Sequence, residues 1–162
     1  SLNFKKLLKI NVNKKQVGSD RIANAIAITK KNKNFIVIDF GTATTLDVIT
    51  SNTYLGGVIA PGVKLSLKTL ISKASLIPDI NLSKITKVIG SNTKNAVRSG
   101  FYWGYAGLID SLIKLIIKQT HKSFDVILTG GLAYLYKDAL NKKAKIDKDL
   151  TIKGLIKILK NF

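Results

Sequence analysis

The chain has 162 residues, 46% of them hydrophobic, and its 27 Lys and Arg outnumber nine acidic residues, giving a formal charge of +18. That length is enough for one domain with its own core, and with no cysteine and a single His neither a disulfide framework nor a thiolate or zinc site is available. No apolar run reaches the ~18 residues of a bilayer span, and Ser1 to Leu8 lacks the apolar stretch and cleavage site of a signal peptide, so a soluble, cytoplasmic protein is expected.

In chain order, Lys9-Ile10-Asn11-Val12 reads as a short edge strand, and Ser19 or Asp20 as the N-cap of a helix through Ile22, Ala23, Ala25, Ile26, Ala27 and Ile28. Three strands follow closely: Phe35 to Asp39, Thr44 to Thr50 and Tyr54 to Ala60, the last two joined by the turn Ser51-Asn52-Thr53. Pro61-Gly62 ends the third strand, and Val63 to Ala74 has the apolar spacing of a helix at Leu65, Leu67, Leu70 and Ile71. After a polar stretch over 78–87, Val88-Ile89 reads as a short strand leading into Gly90-Ser91-Asn92-Thr93. There Asn92 or Thr93 can cap a long helix that runs to about Gln119.

Gly100, Gly104, Ala106 and Gly107 along this helix, flanked by Phe101, Trp103 and Tyr105, leave room for a strand or a second subunit to pack closely, or are glycines tolerated in a core helix. Phe124 to Thr129 is a predicted strand ending in Gly130-Gly131, followed by a helix from Leu132 to about Asn141, a strand Lys145-Ile146-Asp147 and a helix from Thr151 to Lys160. This order predicts an α/β domain in which a three-strand meander joins parallel strands with crossover helices.

The chemistry concentrates in Val37-Ile38-Asp39-Phe40-Gly41-Thr42-Ala43-Thr44-Thr45. Val37 and Ile38 close a buried strand, and Gly41 lets the backbone turn with φ above zero so that its amides face an anion. Asp39 at the strand end would hold a cation or a cation-bound water, and the hydroxyls of Thr42, Thr44 and Thr45 can donate to phosphate oxygens. A strand followed by an ordinary Asp-Phe-Gly turn is the other reading of so short a motif.

Six segments in order carry a resemblance. They are Val17-Gly18-Ser19-Asp20-Arg21-Ile22-Ala23-Asn24-Ala25, Ile38 to Thr45, Tyr54-Leu55-Gly56-Gly57-Val58-Ile59-Ala60-Pro61-Gly62, Ile89-Gly90-Ser91-Asn92-Thr93, Gly104 to Asp110, and Thr129-Gly130-Gly131. Together they resemble type III pantothenate kinase, a family of the acetate and sugar kinase, Hsp70 and actin superfamily. The resemblance runs from about Asn11 to the C-terminus and covers only the later part of the family's length. It implies an actin-like ATPase (ribonuclease H-like) domain over 35–162, with 1–34 holding the edge strand and substrate-segment helix as a remnant of the interdomain region. A preceding domain with its own phosphate loop would complete the family's length.

The resemblance also implies roles. Asp20 matches the general base that takes the proton from the primary hydroxyl of pantothenate, a job open to any carboxylate within hydrogen-bond reach, and capping the helix is its other use. Gly18, Ser19 and Arg21 fall in the same substrate-binding segment, and Arg21 could take the pantothenate carboxylate in a bidentate contact. Thr93 matches a second pantothenate contact, at the start of the long helix. Asp39 matches the position that binds a monovalent cation, K⁺ or NH₄⁺, and Thr42, with Gly41 beside it, the one that contacts ATP. Gly130 and Gly131 resemble the superfamily's adenosine-side turn. Mg²⁺ with ATP, and a homodimer whose interface holds the pantothenate pocket, complete what the resemblance implies. Two departures stand out: Asn11 where the family usually has Tyr, and Lys14 where Pro is usual.

The expected function is therefore ATP-dependent phosphorylation of pantothenate, completed by the missing domain. A non-catalytic dimerising or regulatory remnant of that kinase is the alternative. A polyanion binder driven by net charge is the third reading, but the lysines are scattered among Ile, Leu and Asn, and only Arg21 and Arg98 supply guanidinium. Charge spread in this way looks like residue-usage bias, so neither a specific nucleic-acid partner nor a membrane is expected.

Overall fold

Phe35-Ile36-Val37-Ile38 is an unbroken apolar run, as a strand covered on both faces requires. The computed structural model, which describes residues 7–161, puts this run inside a six-stranded mixed sheet. Residues 1–6, part of the opening stretch and of the 1–34 segment read above, and Phe162 lie outside the described residues. The strands are β1 (Lys9–Ile10), β2 (Asn34–Phe40), β3 (Ala43–Thr50), β4 (Thr53–Pro61), β5 (Asp125–Gly130) and β6 (Ala144–Ile146), in the spatial order β1-β4-β3-β2-β5-β6. Strands β2, β3 and β4 form the antiparallel meander, while β1 pairs with β4, β5 with β2 and β6 with β5 in parallel.

The helices are α1 (Ser19–Ile28), α2 (Val63–Lys73), α3 (Thr93–Thr120), α4 (Ala133–Tyr136) and α5 (Leu150–Leu159). Alternation along β2 divides the core in two. Ile36, Ile38 and Phe40 join Leu46 and Val48 under Tyr102, Ala106, Ile109 and Ile113 of α3. Phe35 and Val37 point the other way and join Ile49, Tyr54 and Ile127 under Ile22, Ala23 and Ile26 of α1 and Leu150 and Ile158 of α5. Helices α1 and α5 approach so closely that a Cβ on Gly154 would stand 2.0 Å from the Ala23 carbonyl oxygen. No described helix is long and apolar enough to cross a membrane.

Most elements fall where the sequence puts them, and three expectations are corrected. Helix α1 begins at Ser19 with Gly18 as its N-cap and no side-chain capping bond, so neither Ser19 nor Asp20 caps it. Val88-Ile89 is not a strand: both residues are exposed and pair with no neighbour, and the segment instead leans on α3 through the Ser99 hydroxyl, which donates to the Val88 carbonyl. The helix expected over Leu132 to Asn141 stops after Tyr136, where bonding tightens to Ala139 N–H on the Tyr136 carbonyl. The Asn141 amide is then drawn to the Asp110 carboxylate at 3.1 Å. By contrast, Asn92 caps α3 as expected, accepting from the Asn95 amide at 2.9 Å.

Candidate active site

The period of 2 along β2 and β3 puts Asp39, Thr45 and Asp47 on the sheet face that α1 covers, with Asp39 directly across from Thr45 on one side and from Thr129 on the other. Helix α1 crosses this face with Arg21 against Asp47 of β3 and Asn24 against Asp39 at the end of β2. Residues four apart share a helix face, so Asp20 and Asn24 point to the same side. Asn24, fully buried, donates from Nδ2 to Asp39 Oδ2 at 3.3 Å, and its Oδ1 accepts from Thr151 Oγ1 at 2.7 Å. Asp20 is exposed, and its carboxylate folds back over Gly18: a Cβ at Gly18 would lie 2.5 Å from Asp20 Oδ1.

Arg21 does not offer its fork to solvent. Its Nε donates to Asp47 Oδ1 at 2.8 Å, its Nη2 forms an ion pair with the same oxygen at 2.7 Å, and the Tyr54 hydroxyl donates to it at 2.6 Å. The bidentate edge expected to take a substrate carboxylate is thus already used, and Nη1 makes no hydrogen bond or ion pair among the described residues. The guanidinium lies against Gly57, where any side chain would sit 2.6 Å from Nη2. Asn11, just beyond β1, donates its amide to the Tyr54 carbonyl at 3.1 Å, so the position of the unusual Asn borders this buried cluster.

The electrostatics follow from burial. Burial pushes the Asp39 carboxyl above its ordinary value of 3.8; the Asn24 hydrogen bond opposes this, and the charges of Asp20 and Asp47 add to it. Asp47 is raised in the same way by burial, against the pull of Arg21 and Tyr54. Burial pulls the Arg21 guanidinium down, yet Asp47 more than offsets that, and the Tyr54 hydroxyl is pushed well up by burial and by Asp47. The charge of Asp20 adds to the rise of Asp47 as well. The Asp47 Oδ2 atom and the Thr44 and Thr45 hydroxyls are buried with no protein partner.

A raised carboxyl has a stability consequence. The native chain holds the Asp39 proton more tightly than the unfolded chain, so this group favours folding below pH 3.8 and loses that contribution as pH rises through its raised native value. Asp39→Asn is therefore expected to melt at a higher temperature than the parent at pH 7, with the gap closing as pH falls towards 3.8. Thermal melts at the two pH values check this; a variant less stable at pH 7 would mean that ionised Asp39 is a net support of the fold.

The glycine turn expected to present amides is corrected in one respect. Gly41 does not take positive φ, and its amide is committed to the Ala43 carbonyl at 3.1 Å. The positive φ falls instead on Gly130, at 84°. A Cβ there would stand 2.5 Å from Asp39 Oδ1 and 2.7 Å from the Phe40 carbonyl oxygen, so only glycine lets the end of β5 approach the end of β2. The Asp39 Oδ1 and Phe40 carbonyl oxygens near Gly130 are hard donors of the kind a monovalent cation takes, with the Phe40 amide nitrogen as close as the carbonyl. Among the described residues no group of three or more acidic or His side chains is arranged to hold a metal ion.

Thr42 is exposed in the loop between β2 and β3, and a Cβ on Gly131 would meet open space. Leu132, the next residue, borders a cleft of about 420 Å³ whose walls include Lys64, Leu67 and Lys68 of α2 and Asp79. The two lysines, four apart on one helix face, escaped sequence reasoning because lysine is everywhere in this chain. Thr93, exposed at the start of α3, belongs to the helix on the other face of the sheet, so one chain does not bring it to Asp20.

The chain is similar to known proteins. Residues 3–115 match the family model of type III pantothenate kinase. A type III pantothenate kinase of Pelagibacter ubique is 61% identical over 156 residues, covering 96% of this chain and 63% of the relative. One of Cereibacter sphaeroides is 44% identical over 144 residues, covering 88% and 56%. A solved structure described as a conserved putative Baf family transcriptional activator from Campylobacter jejuni matches with a TM-score of 0.68 at 25% identity, over 98% of this chain and 71% of that one. The expected α/β fold class holds: a three-strand antiparallel meander is joined to parallel strands in one mixed sheet. The chain spans less than two thirds of the length of these two curated relatives.

Proposed function

We propose that this chain, which belongs to the type III pantothenate kinase family, takes part in the ATP-dependent phosphorylation of pantothenate to 4'-phosphopantothenate, the first step of coenzyme A biosynthesis, in the cytoplasm. The observation that carries the reading is α1 against the end of β2, where Asn24, one helical turn on from the exposed Asp20, is bonded to Asp39. A base that must meet a small alcohol needs such exposure, and a cation beside a phosphate needs such a strand end.

In this reading pantothenate lies along Gly18, Ser19, Asp20 and Arg21. Its primary hydroxyl oxygen forms a bond to the γ-phosphorus of ATP while the proton passes to Asp20, and the bond from that phosphorus to the bridging oxygen breaks to leave ADP. Arg21, held by Asp47, directs Nη1 towards the substrate carboxylate as a single-nitrogen contact. Thr42 and the Gly130-Gly131 turn line the nucleotide's path, and the cleft beyond Leu132 takes its base, with Lys64 and Lys68 on the wall. Mg²⁺ bound with ATP, and K⁺ or NH₄⁺ beside Asp39, supply charge neutralisation when present.

Because Thr93 stands on the opposite side of the sheet, its part in the pantothenate pocket would be played across a homodimer interface. The exposed small and apolar residues of α3, Gly100, Gly104 and Leu108 with Phe101 beside them, supply a surface for that second copy. The test uses protein that also carries the part its relatives have outside the matched region, incubated with ATP, MgCl₂, KCl and pantothenate. Formation of 4'-phosphopantothenate that requires both substrates is the expected result. No product from a protein that still sediments as a dimer would favour the non-catalytic remnant instead.

A further inference from the structure

Asn24 is fully buried between the sheet and α5, and a buried amide must satisfy both of its ends. The Thr151 hydroxyl, at the first turn of α5, donates to Asn24 Oδ1 at 2.7 Å. That leaves Nδ2 as the end that meets Asp39, donating to Oδ2 at 3.3 Å. One hydroxyl, 127 residues further along the chain, therefore decides which way the amide is turned. With Oδ2 tied in this way, Asp39 Oδ1 is held beside Gly130, close to the Phe40 main chain.

We propose that Thr151 and Asn24 are positioning residues for Asp39, so that the first turn of α5 forms the outer layer of the monovalent-cation site at the end of β2. The proposal rests on the reading of Asp39 as a cation ligand. Partners that orient a ligating carboxylate through hydrogen bonds typically change metal affinity 10–100-fold when removed. Thr151 is a suitable probe because Val keeps its shape and deletes only the donor, whereas Ser restores the donor in a smaller side chain.

The experiment follows the melting temperature of the protein as KCl replaces choline chloride at constant ionic strength. The parent is expected to be stabilised by KCl, since a ligand bound only to the native state raises its melting point. Thr151→Val should need roughly tenfold more KCl for the same rise, and Thr151→Ser should return to near the parent's requirement. In the transfer assay the KM for pantothenate should stay the same in Thr151→Val while the KCl requirement for turnover moves. A Thr151→Val protein with the parent's KCl midpoint, or a parent that ignores KCl, overturns the proposal. Should Thr151→Val fail to fold, Thr151→Ala is read in the same way. Because melting needs no turnover, a protein that responds to KCl but makes no 4'-phosphopantothenate strikes the kinase reading and leaves this proposal intact.

Discussion

Asp20→Asn is expected to lower kcat for pantothenate phosphorylation by about 10²–10⁴-fold while leaving the KM for ATP within about twofold of the parent, the range that loss of a positioned general base produces. The side chain is exposed and makes no capping bond, so its replacement should shift stability by less than ~0.5 kcal/mol. An inactive variant with an unchanged melting curve would thus report on chemistry and not on folding. Gly18→Ala gives a second arm. Its new methyl group would stand 2.5 Å from Asp20 Oδ1, too close to coexist, and swing the carboxylate aside, so the same base should work less well without any change in its chemistry. If Asp20→Asn kept the parent's kcat, the proton would have another acceptor, and the assignment of the first turn of α1 would be wrong.

What the sequence made legible was local. The apolar run before Asp39, the turn signals between the three strands and the Asn92 cap each depend on neighbours within a few residues, and each is found as expected. What stayed hidden was made by approach across the fold. Arg21 lies 26 residues from Asp47 and Asn24 lies 127 from Thr151, and no periodicity links such pairs. The positive φ expected at Gly41 belongs to Gly130 because the demand comes from β2 and β5 meeting side by side, which a reading of either strand alone does not contain. Val88-Ile89 has strand-forming residues but no strand to pair with, and propensity yields to the absence of a partner. The resemblance groups Thr93 with Asp20, whereas the fold puts their helices on opposite faces of the sheet, a division that no local reading of either segment contains.

Asp47→Ala should destabilise the fold by about 3–5 kcal/mol in urea titration, the typical result of leaving one partner of a buried ion pair alone. The side chain of Asp47 is wholly buried and that of Arg21 is 13% exposed, so water cannot fully compensate either group, and Tyr54 would lose its acceptor as well. The pair itself is a different matter, since replacing both partners with apolar groups of similar volume is often neutral or stabilising. Arg21→Met combined with Asp47→Leu is therefore expected to recover most of the stability lost by Asp47→Ala, because it removes the buried charges together. It should not recover activity. With Nη1 gone, the KM for pantothenate should remain at least tenfold above the parent's, as loss of a charge-assisted hydrogen bond worth about 1.5–3 kcal/mol predicts. A double variant that is both stable and saturated by pantothenate at the parent's concentration would confine Arg21 to the fold, and substrate recognition would then rest on Gly18, Ser19 and Asp20 alone.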